Sequence, residues 1–329
     1  MTIYDIAKLA GVSASSVSRV INNKPGVNPE ARQKILKIMD KYSYAPNAIA
    51  RGLVSQSSKT IGILVADIRN IHHTEGAYYI ERELIALGYC CIILNTGVED
   101  DDKVNAIQIL NRRRVDGVVI MGSTFQCDAV KNAIAQYLPE VPVALVNGWL
   151  NLPNVYGVLA DEQGGVVSCV KHLVSRNRTH IAFVCDTPSN ASNTLKTAGY
   201  FSTAPLLDVD PAFWNYSTEN SLSGGYDITL QILNDHPDVD GIVYSIDLLA
   251  AGGLHALHEK GVIVPDQVAI IGINNSTYAK ICTPAITSLD NKHIDASLMA
   301  ARILIDHIAG KRNTHRVMLL PDLVVRQST

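Results

Sequence analysis

Residues able to do chemistry fall into separate groups along this 329-residue chain. Near the N-terminus, Ser13, Ala14, Ser15, Ser16, Ser18, Arg19 and Asn22 bring short side chains, hydroxyls, an amide and a guanidinium into one stretch. Such groups bond phosphate oxygens and base edges, so this set suits nucleic acid. Further on, Asn70, His72, His73, Met121, Asn147, Lys196, Asn220, Ile246, Asp247, Asn274 and Asn291 fall at the ends of strand-like runs. Amides, imidazoles and a few charges there suit a polyhydroxylated small molecule, because each buried hydroxyl demands a donor or acceptor. The asparagines equally suit turn and cap chemistry, and both readings stand. His255-x-x-His258-Glu259 has a helical spacing that could hold a metal, but no acid or cysteine cluster accompanies it. No metal or cofactor is therefore expected. Gly-rich phosphate loops, nucleophile elbows and paired catalytic carboxylates do not stand out, which argues against an enzyme.

The elements that position the first group are short helices. Ile3, Ile6, Ala7 and Ala10 recur at helical spacing, as do Val17, Val20 and Ile21, with Gly11-Val12-Ser13 as the break between them. Gly11 can end one helix in the left-handed conformation and Ser13 can cap the next. The pair predicts a helix-turn-helix whose second helix enters a DNA major groove. Asn28-Pro29-Glu30 starts a third helix, with Ala31, Ile35, Ile38 and Tyr42 inward and Arg32, Lys34, Lys37 and Lys41 in solvent. Residues 1–45 thus make a small all-α headpiece, and Tyr4, Asn28 and Tyr44 join its candidate DNA contacts. A segment from Tyr44 to Leu53, capped by Asn47, is too short to be a stable helix alone.

Charge supports the division. Residues 1–60 carry nine Lys/Arg against three acids, while the remainder carries nineteen against twenty-eight, so a basic unit of +6 precedes an acidic body of −9. With 47% hydrophobic and 18% charged residues the chain can bury sizeable cores. No run approaches the length of a transmembrane helix, and residues 1–20 lack a secretory pattern, so a cytoplasmic location is expected. Cysteines 90, 91, 127, 169, 185 and 282 form no metal or redox spacing and are expected as reduced core thiols.

The body repeats itself. Lys59–Asn70 returns as Thr179–Asn190, Val115–Ile120 as Val239–Tyr244, and Pro142–Asn147 is echoed by Asp266–Asn274. Apolar strand runs alternate with helical patterns at 74–87, 100–113, 162–175, 223–234, 247–260 and 293–309. Two doubly wound parallel-sheet lobes follow, with a small-molecule site in the cleft between them. Strand ends at 67–73, 95–96, 121–124, 147–148, 189–196, 220, 246–247, 274–275 and 291 are expected to line it.

The opening stretch Thr2–Asn22 resembles the headpiece of the LacI/GalR (lactose-repressor) family, following its pattern Thr-Ile-x-Asp-Ile-Ala-x-x-Ala-Gly-Val-Ser-x-x-Ser/Thr-Val-Ser-Arg-Val-hydrophobic-Asn. Leu159–Gly165, Ser245-Ile246-Asp247, Pro265–Gly272, Pro284–Ser288 and Pro321–Ser328 extend the resemblance over essentially the whole chain. It implies a periplasmic-binding-protein-like core whose chain crosses between lobes near 160, 290 and 320. The first lobe would be 59–160 plus 292–320, and the second 161–291 plus 321–329. Residues 46–58 would be a hinge helix and linker, with Asn47, Ala50, Arg51 and Leu53 at family positions and Leu53 as the wedge that opens a base step. The resemblance further implies a homodimeric repressor bound to double-stranded operator DNA, answering to a sugar-like effector and governing carbohydrate utilisation. Dimer contacts are expected from helix 74–87 and near Cys282. No leucine heptad follows Ser328, which favours a dimer over a tetramer. Ala14 and Ser15 occupy the positions that most govern base choice, and both are short.

Several residues depart from the family. Asn70-Ile71-His72-His73 replaces Asn-Pro-aromatic-aromatic, Lys196 an arginine, Ile246-Asp247 an Asn-Asp, and Asn274-Asn275 the usual acids. From those losses an effector with its own acidic group is expected. A transport-type solute-binding protein would need a signal peptide and no headpiece. A regulator whose main effector is a partner protein is the remaining alternative.

Overall fold

The computed structural model describes residues 1–44, 57–187, 190–312 and 314–329. The chain divides into two units, Met1–Lys59 and Thr60–Thr329. In the first, α1 (Ile3–Ala10), α2 (Ala14–Ile21) and α3 (Pro29–Lys41) close on a core of Ile6, Ala7, Ala10, Val17, Val20 and Ile35. Local capping sets their limits. Thr2 and Asp5 bond reciprocally, the Thr2 amide donating to Asp5 Oδ2 at 2.7 Å, and Gly11 ends α1 at φ +71°. Ser13 Oγ accepts from the Ser16 amide at 3.2 Å to start α2. Asn28 caps α3 ahead of Pro29.

The inward stripe of α3 differs from expectation at its end. Tyr42 is exposed beneath the Lys41 ammonium, and Tyr44 packs on the core instead. Ser43 has φ +47°, which turns the chain so that the Tyr44 amide donates to Met39 O at 2.8 Å.

The second unit alternates strands and helices. They run β1 (Thr60–Val65), α4 (Ile71–Ala86), β2 (Cys90–Asn95), α5 (Asp100–Arg113), β3 (Gly117–Met121), α6 (Asp128–Tyr137), β4 (Val143–Val146) and β5 (Val155–Ala160). Then follow α7 (Glu162–Ser175), β6 (Ile181–Thr187), α8 (Ala191–Ser202), β7 (Asn215–Glu219), α9 (Leu222–Asp235), β8 (Gly241–Tyr244) and α10 (Asp247–Glu259). The chain finishes with β9 (Ala269–Ile273), α11 (Thr277–Ile281), β10 (Thr287–Asp290), α12 (His293–Ile308), β11 (Arg316–Leu319) and β12 (Asp322–Val324).

Two six-stranded sheets result, ordered β11-β5-β4-β3-β1-β2 and β12-β10-β9-β8-β6-β7. The first is parallel throughout; in the second only β12 runs antiparallel, against β10. The chain therefore passes between sheets after β5, after β10 and after β11. β3, β4, β8 and β9 are buried along their length, as central strands covered on both faces must be. Separate cores fill the two faces of the first sheet, and one large core surrounds the second.

In each sheet the strand order reverses once. The chain goes from β1 outward to β2 and returns across it to β3, and β6, β7 and β8 repeat the move. Such reversals leave a crevice at the carboxyl ends of the strands. The cysteines are free: Cys169 and Cys185 are buried in the core, Cys91, Cys127 and Cys282 are half-buried and pack against it, and Cys90 departs from expectation, exposed at the start of edge strand β2. Among the described residues no helix is long and apolar enough to cross a membrane.

Candidate DNA-reading face and effector cleft

On α2 the outward row is Ser15, Arg19 and Asn22, all exposed, with Ser18 half-buried beside them. Ser15 to Ser18, Arg19 and Asn22 are steps of three, four and seven, one side of a helix. Ser13 Oγ lies 2.8 Å from Ser15 Oγ and 3.0 Å from Ser16 Oγ, so the hydroxyls are gathered at the helix start. The face is narrower than the sequence suggests. Ala14 packs on the headpiece core, Ser16 is half-buried, and Asn22 donates its amide to Ser18 O at 2.9 Å. Tyr4 is 73% exposed on α1. Exposed Asn28 uses its carbonyl on the Glu30 amide at 2.9 Å, and Tyr44 is half-buried. Arg32, expected only as a solvated side chain, forks to Asn23 Oδ1 at 2.9 Å and Lys24 O at 3.0 Å, pinning the loop between α2 and α3. Asn47, Ala50, Arg51 and Leu53 lie outside the described residues.

In the second unit the reversals of the two sheets open onto a shared cavity of about 550 Å³. Register explains the convergence. Val65 pairs with Met121 across β1 and β3, and Val184 with Tyr244 across β6 and β8, so the segments after these strands emerge side by side. Asn70, His72, His73, Met121, Asn147, Lys196, Asn220, Ile246, Asp247, Asn274 and Asn291 all border the cavity. Glu162, Asp186 and His293, which sequence reasoning did not assign, border it too.

Several of these residues also serve the backbone. Asn70 caps α4, its side chain accepting from the His72 amide at 3.0 Å, so α4 starts at Ile71 and carries both histidines in its first turn. Asn190 likewise caps α8, a helix absent from the periodicity reading. Asn147 and Asn274 sit at φ +55° and +107°. Turn chemistry and cavity lining thus coincide in the same asparagines.

Glu162 organises one wall. It is the first residue of α7 and only 2% exposed. Its Oε1 accepts from Asn147 Nδ2 at 2.8 Å and Ser192 Oγ at 2.9 Å. Lys196 Nζ lies 3.8 Å from its Oε2 and donates to Ser245 O at 3.1 Å. The Asn147–Glu162 bond joins lobes, since Asn147 follows β4 of the first sheet and Glu162 opens α7, which packs on α8. Ser123 Oγ makes a second interlobe bond to Asn190 Oδ1, at 3.0 Å. On the far wall Asp247 accepts from Ser288 Oγ at 2.5 Å and the Ser276 amide at 2.6 Å. Burial still pushes its carboxyl up to about 6. Asn291 Nδ2 donates to Asn274 Oδ1 at 2.9 Å.

The floor is imidazole. His72 stacks on His293 with ring centroids 3.5 Å apart, although 221 positions separate them in sequence. Gly76 permits this, because a Cβ there would meet the His293 ring at 2.6 Å. Burial lowers His73, lowers His72 well below its ordinary value and brings His293 down to about 4. These rings are neutral at physiological pH. The expected acidic effector meets an unfavourable wall: among the described lining residues, Asp67, Glu162, Asp186 and Asp247 outnumber Arg69 and Lys196.

Residues 2–47 match the model of bacterial regulatory proteins, lacI family, and residues 170–329 that of the periplasmic binding protein-like domain. The chain is 32% identical to an HTH-type transcriptional regulator of Lachnoclostridium phytofermentans, an alignment covering 100% of this chain and 99% of that one. The crystal structure of the Lac repressor dimer bound to operator and the anti-inducer ONPF is similar at a TM-score of 0.92 and 22% identity, covering 100% of this chain and 98% of that one. A LacI family transcriptional regulator from Enterococcus faecium with bound ribose covers 82% of this chain and 98% of its own, at 24% identity and a TM-score of 0.72. With likeness running through headpiece and core alike, the chain belongs to the lacI family of bacterial transcriptional regulators, whose homologues here are not enzymes.

Proposed function

We propose that this regulator is a cytoplasmic homodimeric repressor that binds operator DNA through its headpieces and a sugar-like effector in the interlobe cleft, controlling carbohydrate-utilisation genes. The observation that carries the effector half is the cavity at the two facing reversals, walled by amides, hydroxyls and a buried Lys196–Glu162 pair. Polyhydroxylated ligands need that density of donors and acceptors. The ribose held by the Enterococcus faecium relative agrees with this class.

The DNA half rests on α2. Ser15, Ser18, Arg19 and Asn22 face the major groove, Tyr4, Ser13, Ser16, Asn28 and Tyr44 hold phosphates, and Ala14 offers only a methyl contact. Asn47, Ala50, Arg51 and Leu53 form the hinge, with Leu53 wedged in the minor groove. Two headpieces meet half-sites about one helical turn apart. Exposed Tyr78 and Ile85 on α4 and Ile281 beside Cys282 supply dimer contacts. An effector that favours one lobe arrangement over another changes operator affinity through linkage. The interlobe bonds at Ser123 and Glu162 are where that arrangement is sensed. Sheet membership supports lobes of 59–160 plus 292–320 and of 161–291 plus 321–329.

Selection of bound sites from random duplex DNA tests the reading. An inverted repeat should be enriched, and a panel of mono- and disaccharides should include one that shifts affinity for it. Enrichment of no sequence, or operator binding indifferent to every carbohydrate, would overturn it.

A further inference from the structure

The cleft carries a charge imbalance that a neutral sugar leaves unanswered. Both lining cations are engaged. Arg69 pairs with Asp67 at 2.8 Å at the exposed rim, and Lys196 is held by Glu162 and the Ser245 carbonyl. Asp247 is sealed beneath the wall by Ser276 and Ser288.

Asp186 differs. It is half-buried on β6 and borders the cavity, and its partners are neutral: Ser245 Oγ at 2.8 Å and Asn220 Nδ2 at 3.2 Å. No lysine, arginine or histidine pairs with it among the described residues. Two neutral donors leave a carboxylate with lone pairs to offer. The three imidazoles are neutral and add no positive charge. Two further acceptors on the wall, Glu162 Oε2 and Asn291 Oδ1, belong to side chains 2% and 5% exposed and make no hydrogen bond, Glu162 Oε2 having only the Lys196 ammonium at 3.8 Å. Acceptors without a hydrogen bond in such a place are costly, and a ligand rich in donors removes the cost.

We infer that the effector is a hydroxyl-rich molecule bearing an ammonium group, seated with the ammonium against Asp186 and its hydroxyls toward Glu162 and Asn291. This rests on the carbohydrate reading above. A phosphate or carboxylate would enter a wall of net negative charge whose cations are already occupied.

Calorimetric titration of the full chain tests this with matched series. D-glucosamine, D-glucose, N-acetyl-D-glucosamine and D-glucose 6-phosphate form one, and the galacto and manno counterparts form two more. In at least one series the amine should bind about tenfold tighter than the parent sugar and its N-acetyl form, the scale of a charge-assisted hydrogen bond. The phosphate should not compete. Asp186→Asn should bring amine and parent within about twofold of each other. The N-acetyl comparison needs no variant, so it stands even if Asp186→Asn fails to fold. Parent sugars binding as well as amines, or phosphates binding tighter, would overturn the charge inference and leave the carbohydrate reading intact. No binding across the panel would overturn both.

Discussion

Replacing His293 with phenylalanine should flatten the acid limb of the core's stability curve. His293 is 8% exposed, stacks on His72 and is held to about 4, mainly by burial, with His73 opposing its charge and Asp290 favouring it. In the unfolded chain a histidine titrates near about 6.5. Because the folded value is the lower one, the contribution is complete above about pH 6.5 and is lost as pH falls toward about 4. The whole gap corresponds to about 3 kcal/mol, of which about 2 kcal/mol disappears between about pH 7.5 and about pH 5. For a core of this size that is about 4 °C in melting temperature. Phenylalanine keeps the stack and the volume and cannot titrate. Melts of the two proteins across that interval should show the parent falling about 4 °C further than the variant. Asp247 titrates in both proteins and cancels in the difference. Parallel profiles would refute the claim that the stack is held neutral.

Other perturbations test other parts. Lys196→Met leaves Glu162 buried without its counter-charge and should cost about 3 kcal/mol or more, read as a lower urea midpoint of the unliganded protein; an unchanged midpoint would mean the pair is decorative. Asp247→Asn removes a carboxyl that resists ionisation up to about 6, a penalty absent below about pH 4 and complete above about pH 6, so the variant should gain on the parent by about 2 kcal/mol across that rise; equal pH profiles would contradict this. Arg19→Ala should weaken operator binding and lower the salt slope by about one if the guanidinium neutralises a phosphate, whereas an unaltered slope would assign it to a base. Leu53→Ala should reduce operator bending, measured by circular-permutation mobility, while the headpiece melts unchanged; full bending would exclude the wedge.

Much of this architecture is legible in the sequence because it rests on local rules. Gly11, Ser13 and Asn28 announce helix ends by cap chemistry, and the structure uses each one so. The cavity's lining was largely readable because ligand sites in parallel sheets lie beyond strand ends, and apolar runs mark where strands end. What escaped is non-local. Asp186 reads as the tail of a strand, and nothing in its neighbours shows that Ser245 and Asn220 will gather around it. Glu162 reads as a helix start, yet its partners come from residues 147, 192 and 196. The stack of His72 on His293 depends on Gly76 making room between two helices. Tyr42 and Tyr44 exchange places because one residue between them, Ser43, takes a left-handed conformation that spacing does not encode.

The three passages of the chain between the sheets also fix an order of arrival during synthesis. α12, which covers β3, β4 and β5, and edge strand β11 are made after the entire second sheet except β12. Until then that face has only α4, packed over β1, β2 and β3, and Val119, Ala144, Tyr156 and Val158 lack the cover that α12 gives. A nascent chain therefore carries an open apolar surface through most of its translation, and a fragment of residues 60–291 should aggregate where the intact core does not. The lobe made first is the one completed late.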